Sequence, residues 1–316
     1  MQIGFDLGGT KMLAALLERD SAGDVTVVDR VKKRTQSGSN DVVLSQIVAL
    51  LDEIWRDDGS VSSIGIAVPG PIDTKTGVIL DTPNIGVRDL HLGEILEKRF
   101  KVPVHLENDV NAGLWGEFIA GSARGFTHVI GIFPGTGIGG GLILNGQLYR
   151  GKQGAAGEIG HMIMQSDGRQ CGCGGHGCYE TVASKTAIAR DLVLLAMNGQ
   201  APTVQAAGGT DITRIKSKVI LKAYQNDGKE VRHVVDQAAE FLGIGMATLV
   251  NIFDPEAIVL GGGLVEKLGD TFIRKAEATM RERAMPRLVK GIRVLPAQLG
   301  DDSVVVGAAD LAERSL

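Results

Sequence analysis

Cys171, Cys173 and Cys178 are the chain's three cysteines, and all fall in C-G-C-G-G-H-G-C at residues 171–178. The glycines among them let the backbone curl until the sulfurs converge, as a tetrahedral metal requires. Zinc is the natural occupant. Three thiolates leave one corner to fill, and the candidates are His161, upstream on an expected strand, and His176, inside the knuckle. His161 is favoured, because His176 is flanked by glycines in a tight loop whereas His161 can approach from outside. The bland alternative, reduced cysteines in a turn, is set against the ligand spacing. A zinc held by four protein ligands has no position open for water or substrate, so its expected work is structural. It would fix Glu158, three residues before His161, and Glu180, two after Cys178.

Two glycine turns suit an anion. Asp6-Leu7-Gly8-Gly9-Thr10-Lys11 sets a carboxylate at a strand end beside bare amides that can approach phosphate closely. Gly135-Thr136-Gly137-Ile138-Gly139-Gly140-Gly141 contains G-x-G-x-x-G at Gly135, Gly137 and Gly140, which raises a dinucleotide fold. That fingerprint must open a helix, and here it runs into G-L-I-L-N-G-Q-L, which alternates as a strand. Either turn alone could be a plain hairpin; the matched pair favours a nucleotide. Gly261-Gly262-Gly263, after another buried strand, either flanks an adenine or simply caps that strand.

Phosphoryl transfer to a hydroxyl needs a base and donors that align the acceptor. Asn108-Asp109 supplies both at a helix start, where the positive end of the helix keeps a carboxylate ionised. Taken alone, Asp109 reads equally well as the cap of its helix, a common job for Asp. Beside two phosphate turns and the polyol-suited Asn84, Glu158, His161 and Glu180, the catalytic reading is the better one.

The elements that must position these residues are readable from periodicity. Strands are expected at 2–6, 12–17 and 25–33, a helix at 41–55 capped by Asn40 or Asp41, and a strand at 63–68 ending in P-G-P. A helix at 90–100, a strand at 102–106 and a helix from Asp109 to 120 complete βββαβαβα. The second half reopens with strands at 127–133 and 142–148, and an insert at 151–211 carries the knuckle and a helix. Helices at 214–226 and 231–253, a strand at 257–260, a helix at 271–283, a strand at 292–296 and a helix at 304–315 follow. Two such halves around a cleft describe an α/β protein of actin-like ATPase (ribonuclease-H-like) fold. The expected domains are a small one at 1–120, with a C-terminal helix at about 303–316 packing back on it, and a large one at 121–302.

Bulk properties agree. The 316 residues exceed one typical core, 44% are hydrophobic and 22% charged, and the net charge of -4 offers no basic field for nucleic acid. The sequence has no apolar run of the roughly 20 residues that span a bilayer, and MQIGFDLGGTK does not read as a leader, so a cytoplasmic protein without membrane partners is expected. Three thiols in one knuckle suit a reducing compartment. The 44 glycines cluster beside apolar runs, as where backbone approaches ligand.

DLGGTK at Asp6, ENDVNA at Glu107, GTGIGGGL at Gly135, GEIGHM at Gly157, CGCGGHGCYE at Cys171 and LGGG at Leu260 together resemble the ROK sugar kinases, most closely their bacterial glucokinases, over nearly the whole chain. The resemblance implies an ATP-dependent hexose kinase with Asp109 as base and Asn84, Asn108, Glu158, His161 and Glu180 gripping hydroxyls. His161 would be both zinc ligand and sugar contact, completing a set with Cys171, Cys173 and Cys178. Asp6 would lie near Mg2+ through water, and nucleotide contacts would come from Gly8, Gly9, Thr10, Lys11, Gly135, Thr136, Gly137, Gly139, Gly140, Gly262 and Gly263. A homodimer is also implied. Glucose is the leading substrate, from GEIGHM and the short knuckle; N-acetylmannosamine, N-acetylglucosamine and fructose are alternatives. The family's repressors, non-catalytic sugar sensors, carry a helix-turn-helix ahead of the first phosphate turn. With Asp6 five residues after Met1, no room for one is expected here, and a sensor would be expected to lack Asp109 or a turn. An ATPase acting on protein would share the fold but leave the knuckle and the Glu158 and Glu180 pair unexplained.

Overall fold

The computed structural model describes residues 1–21 and 23–315. Strands β1 (Gln2–Leu7) and β2 (Lys11–Arg19) form an antiparallel hairpin with Leu7 opposite Met12, and β3 (Val25–Arg34) pairs antiparallel with β2. Alternation sends their side chains into two cores. Ile3, Phe5, Leu7, Met12, Ala14 and Leu16 join one, and Leu13, Ala15 and Leu17 the other. Helix α1 (Asn40–Ile54) buries Val43, Ile47, Leu50, Leu51 and Ile54 as a stripe along one face. Its N-cap is Ser39, ahead of the Asn40 or Asp41 that composition suggests.

Strand β4 (Ser63–Val68) runs parallel to β1 and is buried throughout. After P-G-P comes a small antiparallel sheet of β5 (Ile72–Asp73), β6 (Val78–Thr82) and β7 (Val87–Leu90), which the sequence reading passes over as loop. Leu90 pairs with Ile79 in this sheet, so α2 (Leu92–Phe100) starts later than expected. Strand β8 (Val104–Asn108) is parallel to β4, and α3 (Asp109–Ala120) follows it directly. The first five-stranded sheet has the order β3-β2-β1-β4-β8.

Strand β9 (Val129–Pro134) leads to a turn at Gly135–Gly137, closed by Gly135 N–H donating to Gly137 O at 2.8 Å. Strand β10 begins at once (Ile138–Leu144), so Gly139, Gly140 and Gly141 lie in extended backbone and the turn is shorter than the glycine run suggests. Then come β11 (Gln147–Leu148), the knuckle, α4 (Glu180–Ala183), α5 (Lys185–Met197), α6 (Pro202–Gly208), α7 (Ser217–Asn226) and α8 (Lys229–Phe253). Strand β12 (Ala257–Leu260) leads into α9 (Gly262–Arg283), and β13 (Arg293–Pro296) ends a second five-stranded sheet of order β11-β10-β9-β12-β13. Helix α9 starts nine residues before the expected position, because Gly269 interrupts it with φ at +65° and the sequence pattern resumes only beyond that break.

Helix α10 (Asp302–Glu313) lies almost on the backbone of β1, β4 and α3. A Cβ at Gly4 would fall 1.9 Å from Val305 O, and one at Gly65 would fall 1.9 Å from Ala308 O. Glycine is what allows that approach. Glu117 of α3, fully buried, accepts from Gln298 N–H (2.9 Å), Leu299 N–H (2.8 Å) and Ser122 N–H (2.9 Å). Leu316, the last residue of the expected helix, lies outside the described residues. The chain forms two compact units, Met1–Thr127 with Gly141–Ala156 and Gln298–Leu316, and His128–Gly140 with Gly157–Ala297. Among the described residues no helix is long and apolar enough to cross a membrane.

Candidate active site

In the first unit, β1 delivers Asp6 and the β8–α3 junction delivers Asn108 and Asp109. Asp6 is half-buried, and that burial, followed by the nearby Asp109 carboxylate, pushes its pKa up to about 7, with Lys11 partly opposing. A buried carboxylate with a second carboxylate beside it marks a place suited to a bound cation. Helix capping falls to Asn108, whose Oδ1 accepts from Val110 N–H at 3.0 Å and Asn111 N–H at 3.2 Å. Asp109 is therefore the first helical residue, not the cap, and its Oδ1 accepts from Val110 N–H at 2.9 Å.

Beneath the pair sits Glu107, which the sequence marks only as the first residue of ENDVNA. It is 1% exposed; Oε1 accepts from Asn108 N–H (3.0 Å) and Asn111 Nδ2 (3.1 Å), and Oε2 from Arg150 Nε (2.7 Å). Burial works to raise its pKa, but the neighbouring His105 and the charge and hydrogen bond of Arg150 outweigh burial and hold it below the usual range. Arg150, some forty residues away, carries no local signal that could have found it.

The turn at Gly8-Gly9-Thr10 is tied down by Thr35, which donates Oγ1 to Gly8 O at 2.6 Å and N–H to Thr10 O at 3.0 Å. Asn84 is exposed beside it, 4.0 Å from where a Cβ on Gly9 would stand. Lys11 Nζ bonds Asp301 Oδ1 at 2.6 Å and Lys32 Nζ bonds Oδ2 at 2.8 Å, and these hydrogen bonds draw Asp301 down to about 2.

The second unit gathers the metal-type ligands. One ligand atom each from His161, Cys171, Cys173 and Cys178 lies within 4.8 Å of all the others. Cys171 Sγ is 3.6 Å from His161 Nδ1, and Cys173 Sγ is 3.7 Å from Cys178 Sγ. A Zn–S bond of about 2.3 Å gives tetrahedral edges of roughly 3.8 Å, close to these two separations, so the donor set is compatible with zinc. His161 stands on a 3-10 turn (Ile159–His161), not the expected strand, and its Nε2 faces away toward exposed Glu158 at 3.9 Å. His176 is not in the cluster; it bridges Gln170 across the knuckle. Gly177, with φ at +72°, is required where the loop crosses itself, since a Cβ there would lie 1.6 Å from Gln165 O.

Glu180 joins the knuckle to the glycine turn. Cys171 Sγ approaches its Oε1 at 2.9 Å, and a Cβ on Gly137 would lie 2.3 Å from its Oε2. Gly140 packs under Ile159. Gly262 (φ +83°) and Gly263 open α9 beside Pro134 at the end of β9, so the three glycines start a helix in addition to ending a strand.

Two sheets of the same strand pattern, a carboxylate before a glycine hairpin and an Asn-Asp pair at a helix start define a protein of the actin-like ATPase fold. The chain belongs to the ROK family, whose family model matches residues 2–315. It is 34% identical to a glucokinase of Halalkalibacterium halodurans over 99% of this chain and 94% of that one. Among solved structures, a ROK family glucokinase from Streptomyces griseus in complex with glucose and AMPPNP is 33% identical, with a TM-score of 0.80 and 99% of both chains covered. The ROK hexokinase from Thermus thermophilus is 30% identical with a TM-score of 0.82, covering 99% of this chain and 98% of that one.

Proposed function

We propose that this chain is an ATP-dependent hexose kinase that converts glucose to glucose 6-phosphate. Its family supports the class, and the relatives named glucokinase support the substrate. The observation that carries the chemistry is that Asn108 does the capping while Asp109 stands beside Asp6. Asp109 takes the proton from the sugar hydroxyl, the freed oxygen bonds to the γ-phosphorus of ATP, and the bond to the bridging oxygen breaks to release ADP. Mg2+, when bound, supplies positive charge against the phosphoryl oxygens, and we assign its water-mediated holding to Asp6.

Sugar hydroxyls are assigned to Asn84, Asn108, Glu158, His161 and Glu180. Since Asn108 Oδ1 is engaged in the cap, its amide nitrogen is the contact. Nucleotide contacts are assigned to residues 8–11, to the turn Gly135–Gly137 with Gly139 and Gly140, and to Gly262 and Gly263. His161 Nδ1 and the three thiolates would hold zinc, which would fix the backbone bearing Glu158 and Glu180 and leave His161 Nε2 for the sugar. A homodimer and a cytoplasmic location belong to the same reading. The test is kcat/KM for glucose, mannose, fructose, N-acetylglucosamine and N-acetylmannosamine with ATP and Mg2+. Glucose should lead; a higher value for an acetamido sugar overturns the substrate, and sugar binding without turnover overturns the enzyme.

A further inference from the structure

The turn at Gly135–Gly137 rests on the start of α5. Lys185 N–H donates to Gly135 O at 2.9 Å, Thr186 Oγ1 donates to Thr136 O at 2.6 Å, and Lys185 Nζ donates to Thr136 Oγ1 at 3.1 Å. Lys185 is half-buried, and among the described residues it enters no ion pair. By contrast, Lys11 and Lys32 share Asp301, and Lys275 bonds Asp236. The charge felt at Lys185 is instead another cation, Lys216; burial first and that ammonium second lower its pKa. An ammonium has three donors, and Thr136 takes one. A half-buried ammonium held at the glycine turn, next to a second ammonium, presents a positive field that attracts an anion.

We propose that Lys185 is a phosphate-binding residue for the nucleotide, acting together with the Thr136 hydroxyl, and that Lys216 adds to the field that draws the phosphates in. This rests on the reading of Gly135–Gly137 as a nucleotide turn. In the sequence Lys185 lies far from the glycines and belongs to no motif. It acts through charge, so adenosine, which has none, separates phosphate binding from mere support of the turn.

The test is calorimetric titration of the full-length protein, with glucose and Mg2+, by ATP, ADP and adenosine. Lys185→Gln keeps a donor for Thr136 without the charge, Lys185→Met removes both, and Lys185→Arg restores the charge. Losing a charge-assisted hydrogen bond should weaken ATP and ADP roughly 10- to 100-fold in the Gln and Met variants. Adenosine and glucose should stay within about twofold, Arg should recover most of the loss, and the salt dependence of ATP binding should flatten. Unchanged ATP and ADP affinity in Lys185→Gln overturns the inference while leaving a wild-type kinase intact. Adenosine falling as far as ATP overturns it too, by showing a strut. A wild-type protein that binds no ATP overturns both this inference and the kinase reading.

Discussion

At the scale of single residues, roles divide among neighbours that the sequence shows only as a string. E-N-D contributes three polar side chains: Glu107 anchors from below, Asn108 caps, and Asp109 is the proposed base. Asp109→Asn should lower kcat by about 10² to 10⁴ with little change in glucose affinity, and steady-state kinetics beside direct glucose titration will show the split. Arg150→Met leaves Glu107 buried and charged without its main partner, which should cost about 3 to 5 kcal/mol in urea unfolding; Glu107→Gln in the same background should recover much of it. Asp6 gives a pH signature. Its pKa is raised from 3.8 to about 7 in the folded chain, so the stability it contributes is full below the lower value and lost as pH rises through the upper one. Without Mg2+, the denaturation midpoint of the wild type should fall more steeply, or rise less, from about pH 4 to about pH 7 than that of Asp6→Asn. Equal slopes would remove Asp6 as the titrating group.

Elements were legible where burial gave a clear period. The strands at β1, β4 and β12 read correctly because each is apolar and bounded by glycine or proline. The sheet of β5, β6 and β7 did not, since strands of two to five residues with exposed positions hardly alternate. Gly139–Gly141 read as turn because glycine has low strand preference, yet close packing of Ile159 on Gly140 demands it there. The candidate site was legible in its motif residues. Arg150 and Lys185 were not, because their partners are made adjacent only by folding. The knuckle tests the element scale. Cys173→Ser should lose zinc, raise the glucose KM and lower kcat while ATP binding stays near normal. Metal analysis should find zinc kept in His176→Ala and lost in His161→Ala; the reverse outcome reassigns the fourth ligand.

For the whole molecule, the two large sheets repeat one topology. Each has an antiparallel three-stranded run followed by two parallel strands, β3-β2-β1-β4-β8 and β11-β10-β9-β12-β13. This duplication was visible in the order of elements and not in the letters. The first unit is discontinuous: beside the segment from Gln298 that holds α10, the C-terminal helix expected to pack back on it, it takes residues 141–156, which no local pattern announces. Leu13, Ala15 and Leu17 are covered by Val305, Val306 and Ala309, and Glu117 is satisfied from Gln298 and Leu299. A fragment of residues 1–297 should keep the second unit resistant to protease while the first is cut. Protection of both units in the fragment would show that α10 is dispensable.

The closeness of α10 to Gly4 and Gly65 also bears on how the chain is made. A ribosome delivers β1 and β4 long before it delivers the helix that covers them, so the half synthesised first is the half completed last. Until residues 302–313 emerge, Leu13, Ala15 and Leu17 face water beside bare glycine backbone, while the second unit already has all its strands. The growing chain is thus most exposed to aggregation and to chaperone capture at its oldest end, and slowing translation over the final codons should lengthen that exposure without touching any residue of the active site.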